Sequence, residues 1–453
     1  MWDSQRNNVL HIIKWFTLAT LVGVIVGVLD AAFLKLLDAA ISWRNNISYF
    51  YVGLPLFLYL GVLLSRHTFR KDRDYTTDSV INKINSYRPI SFISITKAFF
   101  LSILTMATGG SAGKEAPCAD VGAGISSTLA RLMRMNKEDQ RKMMICGVSA
   151  GFAGVFGVPI SGALFGLEVL WVGHIFYEVM FAALVAGMTA FQVTQYLGVN
   201  YIYHPIHFVP VFSEQFFLKV IIAGMIFGII SILFIEMMKF MRVVFRYITL
   251  RTSVFMACAV GGCLLIAVGY FISPVYLGLG MSGIDNVLAG ATPDSPFGFL
   301  YKIITTSITF AAGGIGGVVT PIFFIGAQAG GMLADFLVVD PATLAALGLV
   351  AVLAGTANTP LSASIMAIEL FGAEVAPYAT IACVISFLIT GQQSIYPSQR
   401  LAFDKSGQSS PAQSAAYASA EKKIPTRKGL FKKTLKDMVK HLIPNTKNFE
   451  DDK

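Results

Sequence analysis

The stretch GVSAGFAGVFGVPISGALFGLE (147–168) is written a second time, loosely, as GLVAVLAGTANTPLSASIMAIE (348–369). Gly147, Ala150, Ala153, Gly154, Pro159, Ser161 and Glu168 recur 201 residues later as Gly348, Ala351, Ala354, Gly355, Pro360, Ser362 and Glu369. Upstream of each copy the repeat continues. GGSAGKEAP (109–117) lies over GGIGGVVTP (313–321), matching at Gly109, Gly110, Gly113 and Pro117 with an offset of 204. TTDSVINKI (76–84) lies over GMSGIDNVL (280–288), more weakly, at the same offset of 204.

The surroundings are those of a membrane protein. Of the 453 residues 55% are hydrophobic and 13% charged, against about a quarter charged in soluble domains, and the mean hydropathy is +0.65. Apolar runs approaching a bilayer span recur at 12–34, 49–65, 216–238 and 253–272. No cleavable signal peptide is expected, because the first run is long and no small-residue cleavage site follows it. Two related halves, about 12–200 and 214–396, each carry apolar segments cut by Gly and Pro. Irregular backbone at membrane depth survives only when protein buries it or when it lines a wet cavity. In transporters such repeats often have inverted topology, with the site at their interface. The expected fold is an all-α integral membrane protein of two inverted-topology repeats of broken and tilted helices, spanning 1–397.

A net charge of +9 could suggest nucleic acid, but its placement argues for the positive-inside rule instead. Lys and Arg gather at 66–73, 131–142, 239–251 and beyond 422, whereas 199–215 and 273–300 have neither. The basic loops and the tail, 398–453, are therefore expected in the cytoplasm, with the chain multi-pass in the cell membrane and no nucleic-acid partner. The tail opens with a flexible Ser/Gln/Ala composition. Within it GLFKKTLKDMVKHLI (429–443) spaces Phe431, Leu435, Met438 and Leu442 as an interfacial amphipathic helix would, or a solvated basic tail. The cysteines, Cys118, Cys146, Cys258, Cys263 and Cys383, lie in apolar stretches with no metal-site spacing and read as buried small hydrophobes.

GGSAGKEAP leads into CADVGAGISSTLARL as a glycine loop entering a helix, with Pro117 welcome in its first turn. Lys114 and Glu115 then sit at a helix N-terminus, where unpaired N–H groups and the positive dipole end attract anions. GGIGGVVTP before IFFIGAQAGGML supplies a second N-terminus, and in inverted halves the two can converge. The Glu115 carboxylate could fill that anion site and, when protonated, leave it to a substrate ion. The plainer alternative is a Lys114 or helix-cap pairing.

GKEAP resembles the G(K/R)EGP motif of the CLC chloride channels and anion/proton antiporters, GVVTP (317–321) their GxFxP motif, and GVPISGALFGLEVL the helix that follows. Ser394–Ile395–Tyr396 stands where that family places its anion-coordinating tyrosine. The resemblance covers about 15–400, with the motifs in the family's order. It implies a homodimer in the lipid bilayer with one anion pathway per subunit. It also implies Glu115 as the external gate that carries protons, and Tyr396 closing the pathway at its inner end. The anion-binding residues carried over are Gly113 and Lys114 of GKEAP, Gly317, Val318, Val319 and Thr320 of GVVTP, and Tyr396.

The chain departs from the chloride members of that family. Their GSGIP serine is missing, and DYTTD (74–78) takes its place, so that Tyr75, Thr76 or Thr77 stands near the central site. Val319 replaces the phenylalanine of GxFxP, Ala116 the glycine after the gate, and Val169 the internal proton-transfer glutamate that many antiporters place after the Glu168 position. These departures look like the fluoride-exporting branch. Fluoride needs strong donors to replace its water, and the hydroxyls of Thr320, Tyr396 and Thr76/Thr77 would supply them. The expectation is a fluoride/proton antiporter, with a chloride/proton antiporter or chloride channel as the alternative. An enzyme is not expected, for no nucleophile–base pair is visible, and neither metal nor cofactor is called for. His204 and His207 have metal-like spacing but no third ligand nearby. Glu168 and Glu369 recur together and suggest a shared structural role, with help to a proton entering from the cytoplasm as the alternative for Glu168. Glu236 reads as interfacial, and Asp120 as either an aid to Glu115 or a capping group.

Overall fold

The computed structural model describes residues 2–68, 77–206, 213–402 and 405. Sixteen α-helices lie among them, eight in each half. The first half holds α1 (Trp2–Asn45), α2 (Leu54–Thr68), α3 (Thr77–Asn85), α4 (Phe92–Ala107), α5 (Glu115–Leu132), α6 (Lys137–Phe156), α7 (Pro159–Glu168) and α8 (Tyr177–Tyr196). The second holds α9 (Glu214–Arg251), α10 (Val254–Phe271), α11 (Met281–Leu288), α12 (Gly298–Ala311), α13 (Val319–Leu337), α14 (Pro341–Ala357), α15 (Pro360–Phe371) and α16 (Ala376–Thr390). The repeat in the letters is a repeat in the helices. Thr77 and Met281, Glu115 and Val319, and Lys137 and Pro341 open equivalent helices 204 residues apart. Six helices among the described residues are long and apolar enough to cross a membrane.

Local chemistry sets the breaks. Asn136 accepts the Asp139 amide to start α6, and Gly157 ends it at φ +72. Asp340 accepts the Thr343 amide before Pro341 to start α14, and Asn358 ends it at φ +58. Both are capped starts closed by a left-handed residue, which glycine and asparagine tolerate best. Where α5 crosses α6, and α13 crosses α14, backbone meets backbone. A Cβ on Gly122 would lie 2.1 Å from the Gly147 carbonyl oxygen, and one on Gly326 2.3 Å from that of Gly348. Such crossings hold membrane helices by close contact rather than by hydrophobic drive. These four helices form the buried centre. The outer helices turn Val24, Val28, Leu264 and Leu388 outward, as a lipid-facing surface requires.

The halves are inverted. At one end the Arg141 guanidinium lies 4.4 Å over the Phe176 ring and Lys14 pairs with Asp139 at 2.7 Å, so the start of α6, which follows the end of α5, meets α1 and the start of α8. At the opposite end Lys219 donates to the Val338 carbonyl at 3.1 Å and the Ile206 amide to that of Phe371 at 3.0 Å, so the end of α13 meets the start of α9 and the end of α15 meets the segment that follows α8. Arg131, Arg134, Lys137, Arg141 and Lys142 all lie at the first, basic end. There β1 (Trp171–Val172) pairs in parallel with β2 (Arg400–Leu401).

The segment after α16 returns to the body. Ser398 gives both its amide and its hydroxyl to the Asp78 carboxylate, at 2.7 and 2.8 Å. Lys405 donates to Asn358 and to the Phe387 carbonyl. The stretch 429–443 lies outside the described residues. Four of the cysteines are buried, but Cys263 is exposed. The expectation of burial fails there because the peripheral α10 offers that position an outward face.

Candidate functional site

The two glycine loops are clasped about a local twofold. The Ser111 amide donates to the Thr309 hydroxyl at 3.0 Å, and the equivalent Ile315 amide to the equivalent Thr105 hydroxyl at 3.1 Å. Gly109 and Gly313 turn the chain at φ +99 and +101. Gly113 and Gly317 then exchange amide–carbonyl bonds of 2.7 and 2.8 Å in an isolated antiparallel bridge. Immediately afterwards α5 and α13 begin, with Lys114 and Val318 in their N-cap positions. Two positive helix ends therefore face one small volume at the centre of the protein.

Glu115 fills that volume. Its Oε1 accepts the Val319 amide at 2.6 Å, and its Oε2 accepts the Thr320 amide at 3.3 Å and the Thr320 hydroxyl at 2.9 Å. The side chain is 3% exposed. A carboxylate from the first turn of α5 thus caps α13, and Val319, its counterpart by symmetry, returns nothing. Glycine at the bridge makes room for it. A Cβ on Gly113 would stand 2.3 Å from Oε2, and one on Gly317 1.8 Å from Oε1. No full positive charge contacts the carboxylate among the described residues. Lys114 is half-buried, makes no hydrogen bond or ion pair among the described residues, and lies within electrostatic reach of Asp38, Glu115 and Asp285. Of the two plainer alternatives, the Lys114–Glu115 pairing is not formed, whereas the helix-cap pairing is, on the first turn of α13.

Tyr396 is 5% exposed and lies within electrostatic reach of Glu115, Asp120 and Asp78. Its segment is fixed by residues that no motif singles out. The Tyr396 amide donates to the Ser394 hydroxyl at 2.9 Å, and the Tyr396 carbonyl accepts the Gln399 amide at 3.1 Å. The fully buried Gln399 side chain donates to the Val169 and Ala357 carbonyls at 2.8 and 2.7 Å, and its oxygen accepts from Asn358 and Ser394. Asn85 ties in β1 by accepting the Trp171 indole N–H at 3.1 Å. Single buried amides leave no periodic trace. The one signal was the position of Gln399 one turn after Tyr396. Of the central-site candidates, Tyr75 and Thr76 lie outside the described residues. Thr77 opens α3, within electrostatic reach of Asp120.

Glu168 and Glu369 do share one role. Glu168 accepts the Leu361 and Ser362 amides at the start of α15, at 3.1 and 2.8 Å. Glu369 accepts the Ile160 and Ser161 amides at the start of α7, both at 2.8 Å. Each half caps the other, and Ser161 and Ser362 exchange hydroxyl-to-carbonyl bonds between them. Glu236 pairs with Lys239 on its own helix at 2.9 Å. His204 bonds Asp285 at 3.1 Å, while His207 lies outside the described residues. No cluster of three metal-ligating side chains occurs among the described residues.

A family model for the voltage gated chloride channel matches residues 56–391. A "Chloride/fluoride channel protein" of Pseudomonas syringae pv. tomato is 35% identical over 415 residues, covering 89% of this chain and 90% of that protein. A solved CLC-type fluoride/proton antiporter superposes with a TM-score of 0.79 at 27% identity, over 86% of this chain and 98% of that one. A slow cyanobacterial Cl-/H+ antiporter shares the fold, with a TM-score of 0.71 at 19% identity over 83% and 94% of the two chains.

Proposed function

From the premise that this chain belongs to the voltage-gated chloride channel family, and is a multi-pass CLC-type anion transporter, we propose that it is a fluoride/proton antiporter exporting fluoride, gated by Glu115. The observation that carries this reading is the Glu115 carboxylate held by the Val319 amide and by the Thr320 amide and hydroxyl. These donors form an anion site, and the protein's own anion occupies it. Protonation removes the charge that the amides attract. The side chain leaves, a substrate anion takes the same donors, and the proton moves with the carboxyl. The deprotonated carboxylate and the substrate anion therefore exclude each other at one place, so that entry of the anion is tied to protonation of Glu115.

The preference for fluoride rests on the donors. A small, strongly hydrated ion gives up water only for strong hydrogen bonds. The Thr320 hydroxyl reaches the site directly, and Tyr396 lies nearby. The nearness of a fluoride/proton antiporter in structure supports the same choice. Chloride transport is the second reading, favoured by the backbone amides of Val319 and Thr320, which would serve any halide. The protein acts as a transporter and not as an enzyme, as a homodimer with a pathway in each subunit, its basic end and tail in the cytoplasm. Purified protein in liposomes loaded with both halides tests the reading. Chloride leaving as readily as fluoride would refute it.

A further inference from the structure

We propose that Asp120 is the internal proton-transfer group of this transporter, serving the step for which Val169 leaves no carboxyl; the inference rests on the antiporter reading above. Asp120 lies on α5, five residues beyond Glu115 and so about 7.5 Å further along the helix toward the basic end. It is 4% exposed, and its Oδ1 has no hydrogen-bond partner. The groups that face it are few. Thr77, the Glu115 carboxylate, the Lys83 ammonium and the Tyr396 phenol all lie within electrostatic reach. No cation forms an ion pair with it among the described residues. A buried polar atom left unpaired needs a reason, and an ionisable side chain within the membrane is first a candidate for function.

The other buried carboxyls are committed or misplaced. Glu168 spends both oxygens on the α15 amides, and Asp78 spends both on Ser398. Asp30 also lacks a nitrogen or oxygen partner, but it packs against Gly154, whose carbonyl is held by Tyr201 at the end opposite the basic loops. Of the two buried carboxyls with an unpartnered oxygen among the described residues, only Asp120 lies on α5, on the basic side of Glu115. In the exchange, Glu115 takes a proton from outer water and leaves the α13 amides. The O–H bond at Glu115 breaks as one forms at Asp120 Oδ1, directly or through one water molecule. Asp120 then yields that proton to water at the basic end and returns to the carboxylate. The anion travels the opposite way.

The test is the number of protons moved per fluoride in proteoliposomes with a fluoride gradient, for wild type, Asp120→Asn and Asp120→Glu. Wild type should pump protons, and Asp120→Asn should lower the ratio by about a hundredfold or more, the scale of a lost acid–base group. Asp120→Glu should recover most of it. An unchanged ratio in Asp120→Asn overturns the inference while leaving the antiporter standing. Wild type that moves no protons overturns the antiporter reading itself. Should Asp120→Asn stop both ions, the same change made in Glu115→Ala, where fluoride flux no longer needs protons, decides. Fluoride flux equal to that of Glu115→Ala alone supports proton transfer, and slowed flux assigns Asp120 to the anion path instead and overturns the proposal. Unaltered melting temperatures guard each comparison.

Discussion

The carboxylate of Glu115, first residue of α5, lies 2.6 Å from the amide of Val319, first residue of α13 and its symmetry counterpart 204 positions away. The twofold that clasps the two loops is thus broken at one pair of side chains. One half brings a carboxylate, and the other brings only donors. The proposed gate rests on that asymmetry.

Glu115→Gln keeps the shape but not the charge. Proton movement coupled to fluoride should fall to background, as read by a pH electrode on proteoliposomes. In wild type, fluoride flux should rise as the pH falls, because protonation frees the α13 amides. In Glu115→Gln that rise should vanish. Intact proton coupling in the variant would remove Glu115 from the gate.

Gly113→Ala sets a methyl where every one of the three nearest heavy atoms belongs to the Glu115 carboxyl, the closest at 2.3 Å. Overpacking of this kind costs about 1–3 kcal/mol. The loss should largely disappear when Glu115→Ala is added, since the obstructed atoms are gone. A double-mutant cycle on thermal stability measures the coupling. Additive losses would mean that the carboxylate does not rest against Gly113 in the membrane.

The sequence made much of this legible. GGSAGKEAP and GGIGGVVTP carried their glycines and prolines at a fixed offset, and those residues set the two loops and the helix starts, so Glu115 could be placed at an N-terminus before any coordinates. The partners could not be read. That Glu168 caps α15 rather than α7, that Gly113 bridges Gly317, and that Gln399 fixes the Tyr396 segment are contacts across the fold between residues 193, 204 and 230 positions apart, counting Gln399 to Val169. Periodicity reports which face of a helix is apolar, but not which distant backbone meets it. Asp120 had two readings in the sequence, and only burial with an orphaned oxygen separates them.

Thr320→Val removes the hydroxyl 2.9 Å from Glu115 Oε2 and keeps the backbone amide. One hydrogen bond to an anion is worth about 1.5–3 kcal/mol, so fluoride binding should weaken roughly tenfold or more. Chloride, less demanding of donors, should lose less. Isothermal titration with each halide checks the ratio, and equal losses would dissociate Thr320 from selectivity.

Glu168→Gln and Glu369→Gln each put an amide NH2 where two backbone N–H groups need an acceptor. Each should destabilise the protein by about 1–3 kcal/mol. Neither should alter the number of protons moved per fluoride, because both carboxylates serve as helix caps. Changed coupling in Glu168→Gln with unchanged melting would reassign that residue to proton transfer.

The central claim is exchange of fluoride for protons through the Glu115 site, and one measurement meets it directly. Proteoliposomes are loaded with equal fluoride and chloride, and efflux is followed with ion-selective electrodes and a pH electrode together. The account predicts that fluoride leaves first and drives protons inward against their gradient. Equal halide efflux with no proton movement would contradict it.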